Sequence, residues 1–242
     1  MTGDSSLRAV LFDKDGTLID YRRSWEPINR RAAALAARGD AALARHLLAS
    51  GGMDPDSGDT EGDSVLAAGS TGEIARAWIA AGAAWAPEPL TRALDELFTA
   101  SAADGVPVTD LGALFGTLAR AGLAVGVASS DSEAAIRLLL RALGLDGCVA
   151  FVAGYDSGHG TKPGPGMLLG FSRATGLPPS RIAVVGDNLH DIAMARAGGA
   201  GLAVAVLTGT GTRDRLAAAA DHCLPSIADL PGLLTGTAGD GR

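Results

Sequence analysis

Five short apolar runs punctuate the chain: RAVLF at 8–12, LAVGVAS at 123–129, CVAFVAG at 148–154, RIAVVG at 181–186 and GLAVAVLT at 201–208. Each ends on, or is followed by, Asp, Ser or Gly. Runs apolar on both faces, rather than alternating, predict parallel strands covered by helices. Ala/Leu-rich stretches with helical spacing lie between them, at 111–122, 132–145, 164–177 and 188–200. Alternating strands and helices predict a doubly wound, Rossmann-like α/β sheet with right-handed crossovers.

One interval breaks the alternation. Between Asp20 and about Val106 no strand pattern is found, and the helical patterns fall at 26–38, 41–50, 71–85 and 88–101. The expected organisation is a catalytic core of residues 1–19 and 106–242, with an all-helical cap domain of residues 20–105 inserted after the first strand. Lids belong at such strand–helix junctions, because ligands bind at the carboxyl ends of parallel strands. The acidic stretch GGMDPDSGDTEGDS at 51–64 fails the register of a calcium loop: counting from Asp54, Asp59 stands where Gly is required and Val65 where Glu is required. It is read as a solvated loop, and 235–242 as a frayed tail.

Composition narrows the function. Aromatic residues make up 4% of the 242, so the core must be built from aliphatic side chains. The net charge of −7 argues against nucleic acid or an anionic membrane as partner. Lys14 and Lys162 are the two lysines among the 20 basic residues, so each prompts the question of whether an ammonium is needed there. Cys148 and Cys223 flank apolar runs and are read as reduced core thiols. The first ten residues lack a signal-peptide pattern and no apolar run spans a bilayer, so a cytoplasmic protein is expected.

The strand ends carry the chemistry. Asp13, Asp15, Gly16 and Thr17 follow the first run; Ser129 and Ser130 close the second; Lys162 precedes Pro163; Asp187, Asn188 and Asp191 follow the fourth. Neighbouring carboxyl ends converge, so several carboxylates, two hydroxyls and one ammonium should share a crevice. Packed carboxylates call for a cation, and all-oxygen ligands suit Mg²⁺. A carboxylate nucleophile with Mg²⁺ and lysine is equipment for phosphoryl transfer.

This ordered set, DxDGT, a strand-end serine, Lys-Pro and GDxxxD, resembles the haloacid dehalogenase-like hydrolase superfamily, and within it the phosphoglycolate phosphatase-like group with a helical cap. The resemblance implies Asp13 as nucleophile and metal ligand. It implies Asp15 as general acid and base, with its backbone carbonyl on the metal. Ser129 and the Ser130 amide would bind phosphate, and Lys162 would orient Asp13 and neutralise the phosphoryl group. Asp187 would ligate Mg²⁺ directly, with Asp191 and Asn188 supporting it. Ser129-Ser130 departs from the Thr-Asn pair frequent in the family, and His159 is not a feature many relatives need. Asp15 favours a phosphatase or mutase over a dehalogenase, since an oxygen leaving group needs an acid. No lysine lies between residues 20 and 105, which removes the Schiff-base lysine of a phosphonatase.

The expected function is therefore a Mg²⁺-dependent phosphatase of a small phosphorylated metabolite, with 2-phosphoglycolate first among candidates. The alternatives are a phosphosugar mutase or a non-catalytic binding protein on the same fold. Monomer and homodimer are both open. Lys14 is expected at the sheet side or in solvent by strand alternation, Asp20 as a helix cap, and His190 as exposed. Arg22 and Arg23 are left between a solvated face and contact with an anionic substrate. The GTGT at 209–212 is read as a turn.

Overall fold

The computed structural model describes residues 7–62 and 64–235. Its centre is a six-stranded sheet of β1 (Ala9–Phe12), β2 (Ala124–Ala128), β3 (Phe151–Ala153), β4 (Ile182–Gly186), β5 (Leu202–Val206) and β6 (His222–Leu224). The order is β3-β2-β1-β4-β5-β6 and every pairing is parallel. β6 was not foreseen: three residues of mixed polarity at a sheet edge carry no strand pattern. It places Cys223 half-buried on the edge strand, packed against the core, whereas Cys148 is exposed in a turn before β3 and is not a core thiol.

The sheet is buried on both faces. Val10 and Phe12 of β1 join one apolar cluster with Val127 and Phe115, while Ala9 and Leu11 join the opposite one with Val184 and Phe171. This period of two is what a doubly covered strand requires. The register aligns Phe12 with Val127 and with Val185, so the ends of β1, β2 and β4 lie side by side. β1 is where the chain order reverses, and the crevice of such a sheet opens there.

Five helices separate β1 from the rest: α1 (Tyr21–Ala36), α2 (Ala41–Ser50), α3 (Val65–Ala68), α4 (Thr71–Ala80) and α5 (Pro87–Ser101). They enclose an apolar cluster of their own, with Trp78, Leu47, Met53, Leu90 and Leu94 at its centre. α1 begins five residues before the expected 26, because the Asp20 carboxylate caps it by accepting from the Arg23 amide at 2.9 Å. α3 has one turn in a Gly- and Ser-rich stretch and showed no helical period. The chain leaves and re-enters the sheet region side by side, joined by Asp20 N to Val106 O at 2.8 Å and Val108 N to Leu18 O at 3.1 Å. The sheet is completed by α6 (Leu111–Arg120), α7 (Glu133–Ala142), α8 (Gly166–Thr175), α9 (Leu189–Gly198), α10 (Arg213–Ala219) and α11 (Leu230–Thr235). No described helix is long and apolar enough to cross a membrane.

Candidate active site

Asp13 is the first residue past β1, fixed to the neighbouring strand by its amide donating to Val185 O at 2.8 Å. Lys162 Nζ reaches it from the loop after β3, at 2.5 Å from Asp13 Oδ1 and 2.6 Å from Asp191 Oδ1. Asp187 follows β4 directly. Oxygens of Asp13, Asp187 and Asp191 lie within 4.8 Å of one another, all three residues buried. Asp191 sits in the first turn of α9 and accepts from the Asn188 amide at 3.1 Å, while the Asn188 side chain caps the helix through the His190 amide. The sequence motifs Asp13, Lys162, Asp187, Asn188 and Asp191 thus meet in one place.

Three carboxylates share one ammonium there. Burial pushes the Asp13 carboxyl up to about 7, against the attraction of Lys162 and with the help of Asp191 and Asp15. Burial likewise raises Asp187 well above the carboxylate range, and Asp13 and Asp191 add to it. For Lys162 burial acts downward, but Asp13 and Asp191 outweigh it and hold the ammonium above its ordinary value. An excess of buried negative charge, presented by oxygen donors, fits a hard divalent cation.

The loops around Asp187 are tailored to it. Gly16 has φ of 79°, and a Cβ there would press on the Asp187 carboxylate. Past β5, the Thr210 amide donates to Asp187 Oδ2 at 2.8 Å, and the Thr208 hydroxyl donates to Gly16 O at 2.6 Å. The 209–212 turn therefore does more than reverse the chain: it holds a site carboxylate.

The Asp15 carboxylate is not in the trio. It accepts from Lys14 Nζ at 2.7 Å, from the Trp25 indole N–H, and from Ser129 Oγ at 3.4 Å. Lys14 also pairs with Asp131 Oδ2 at 3.1 Å and lies 5.2 Å from the Trp25 ring centre. Its side chain is 2% exposed, which corrects the expectation of a sheet-side or solvent position. The strand ends at Phe12, so alternation no longer predicts direction at residue 14. Burial lowers the Lys14 pKa, but Asp15 and Asp131 more than reverse that. Asp131 was missed by the sequence reading. The available signal was a third polar residue after Ser129-Ser130, in a chain where lysine is rare.

Ser129 Oγ accepts from the Asp131 amide at 3.1 Å and faces Asp15. His190 is half-buried rather than exposed: the first turn of α9 brings it to the rim, beside Ala67 and Ala68, with Nδ1 unpartnered. His159 instead packs on Phe151, ring centres 5.4 Å apart. Arg22 stays at the surface in a pair with Asp59 at 2.9 Å, and Arg23 is exposed. In the acidic loop, Asp54 accepts from the Asp56 and Ser57 amides, as a solvated turn does; Asp63 lies outside the described residues.

A family described as haloacid dehalogenase-like hydrolase matches residues 7–199. The chain belongs to that family. A phosphoglycolate phosphatase of Rhodospirillum rubrum is 36% identical over 87 residues, 36% of each chain. One of Xylella fastidiosa is 29% identical over 82% of this chain and 80% of its own. The match to the first relative thus spans about a third of that protein's length. The crystal structure of CbbY from Rhodobacter sphaeroides in complex with phosphate is similar in fold: TM-score 0.69, 24% identity, 93% of this chain and 96% of that one.

In this hydrolase the helical insert reaches the sheet next to Asp15. Ser130 Oγ donates to Ala68 O of α3 at 3.1 Å, and Tyr155 Oη donates to Asp95 of α5 at 2.7 Å. α3 thereby stands directly over the strand ends, with Ala67 and Ala68 lining the crevice.

Proposed function

We propose that the chain is a Mg²⁺-dependent phosphoric monoester hydrolase working through an aspartyl-phosphate at Asp13. The observation that carries this reading is Asp13 held at the end of the central strand by Lys162, with Asp187 and Asp191 alongside. An Asp13 oxygen attacks phosphorus as the bond to the leaving oxygen breaks, and Asp15 gives that oxygen its proton. Water then attacks the phosphorus of the phospho-enzyme and yields its proton to Asp15, releasing phosphate and restoring Asp13 as a carboxylate and Asp15 as an acid. Ser129 Oγ and the Ser130 amide bind the phosphoryl oxygens, and Lys162 orients Asp13 and offsets charge. Mg²⁺ would be held by Asp13, Asp187 and the Asp15 carbonyl, supported by Asp191 and Asn188, and when bound it neutralises charge on the phosphoryl oxygens. Residues 1–19 and 106–242 form the catalytic core in this reading, and 20–105 the cap.

The substrate class is a small phosphate monoester. Because both sequence relatives described above carry the name phosphoglycolate phosphatase, 2-phosphoglycolate is the first ester to assay. The test is a panel of phosphate monoesters assayed with Mg²⁺ and with EDTA, repeated on Asp13→Asn. Hydrolysis that needs both the metal and Asp13 is expected. Turnover that requires a bisphosphate activator would move the reading to a mutase, and binding without turnover would move it to a non-catalytic protein.

A further inference from the structure

Beside the phosphate crevice lies a second space, closed on one side by the insert. The two share Asp15, Ala67 and Ser130, so the second begins where the first ends, at the proposed proton donor. Its open space, mouth included, is about 370 Å³. In the proposed reaction Asp15 protonates the leaving oxygen, so this chamber holds the alcohol half of the ester.

One side of its wall is apolar. Trp25 stacks near Tyr21 at 6.4 Å between ring centres and meets Phe98 edge-on at 5.1 Å. Leu66 of α3 and Ile74 of α4 extend that side, and Thr71 of α4 also lines the space. Three of the chain's ten aromatic residues line this one space.

Its polar atoms are mostly occupied. The Tyr21 hydroxyl donates to Leu66 O at 2.6 Å, the Ser130 hydroxyl to Ala68 O, and the Trp25 N–H to Asp15. The acidic side chains on its wall are Asp15, the proposed proton donor, and Asp131. Lys14, the cation behind them, is already shared between the two and is almost fully buried. The insert's Arg22, Arg23, Arg31 and Arg76 are all exposed, and none lines the chamber. A carboxylate entering here would lose its water, meet the Asp131 carboxylate and find no free cation.

From this geometry we infer that the physiological leaving group is uncharged and largely apolar, an aromatic or alkyl alcohol rather than a hydroxy acid such as glycolate. This deepens the phosphatase reading and rests on it. A flat, neutral alcohol would fill the aromatic wall and leave its oxygen at Asp15.

Benzyl phosphate and 2-phosphoglycolate separate the possibilities, because both release a primary alcohol and differ in an aromatic ring against a carboxylate. With the full chain and Mg²⁺, kcat/KM for benzyl phosphate should exceed that for 2-phosphoglycolate by at least about tenfold, from the cost of an unpaired buried carboxylate. Ile74→Lys, which puts an ammonium into the chamber wall, should narrow or invert that ratio; Thr71→Lys serves if the first variant melts early. Equal or greater kcat/KM for 2-phosphoglycolate with the wild-type chain overturns the inference and leaves the phosphatase reading standing. Failure to hydrolyse either ester or p-nitrophenyl phosphate brings down the phosphatase reading and the inference with it.

Discussion

The molecule carries two buried lysines, each set between two aspartates. Lys162 bridges Asp13 and Asp191, and Lys14 bridges Asp15 and Asp131. They differ in what lies next door. A third carboxylate, Asp187, stands beside the Lys162 group, so that site is left with surplus negative charge and opens to the crevice. The Lys14 group has an indole N–H and a ring face instead, and no further acid. The same local chemistry therefore serves two ends. One cluster is unfinished without a cation and a phosphoryl group; the other is largely complete within the protein and holds Asp15 in position.

Four experiments strain that comparison, from the largest effect down. Asp13→Asn keeps the shape of the open cluster but removes the nucleophile, and steady-state turnover should fall at least about 10³-fold. Lys14→Met strands two buried carboxylates in the closed cluster and should cost about 3 kcal/mol of stability by denaturant melting. Unchanged stability would mean that water reaches Asp131.

The third concerns pH. The Asp13 carboxyl is raised from 3.8 to about 7, and Asp187 is raised too, both chiefly by burial. Between those values the metal-free native state binds more protons than the unfolded chain, so these groups make stability fall as pH rises through that window. A bound cation favours the ionised forms, so Mg²⁺ should raise Tm more at pH 8 than at pH 5, as scanning fluorimetry would show. An equal rise at both would place the cation elsewhere. Smallest, Asp20→Ala removes the cap of α1 and should cost about 1 kcal/mol, with little change in activity.

The open cluster was legible in the sequence and the closed one was not. Asp13, Ser129 and Asp187 each stand directly after an apolar run, and parallel strands bring such positions together whatever the loops do. Lys162 was legible through its rarity. Lys14 misled because strand alternation was carried two residues past the strand's end. Asp131 gains its meaning from Lys14 alone, which is more than a hundred positions away. The aromatic chamber is assembled from residues 21, 25, 66, 74 and 98, on four helices with no shared motif, and only the packing of the insert reveals it. β6 and α3 are too short to display a period.

The central claim, a phospho-enzyme on Asp13, is open to direct measurement. The wild-type chain, mixed with Mg²⁺ and a hydrolysed ester and quenched in acid during turnover, can be digested and the peptide containing Asp13 weighed. The account predicts a phosphoryl group on Asp13 that hydroxylamine removes and that Asp13→Asn lacks. A phosphoryl group on another residue, or undiminished turnover by Asp13→Asn, would contradict it.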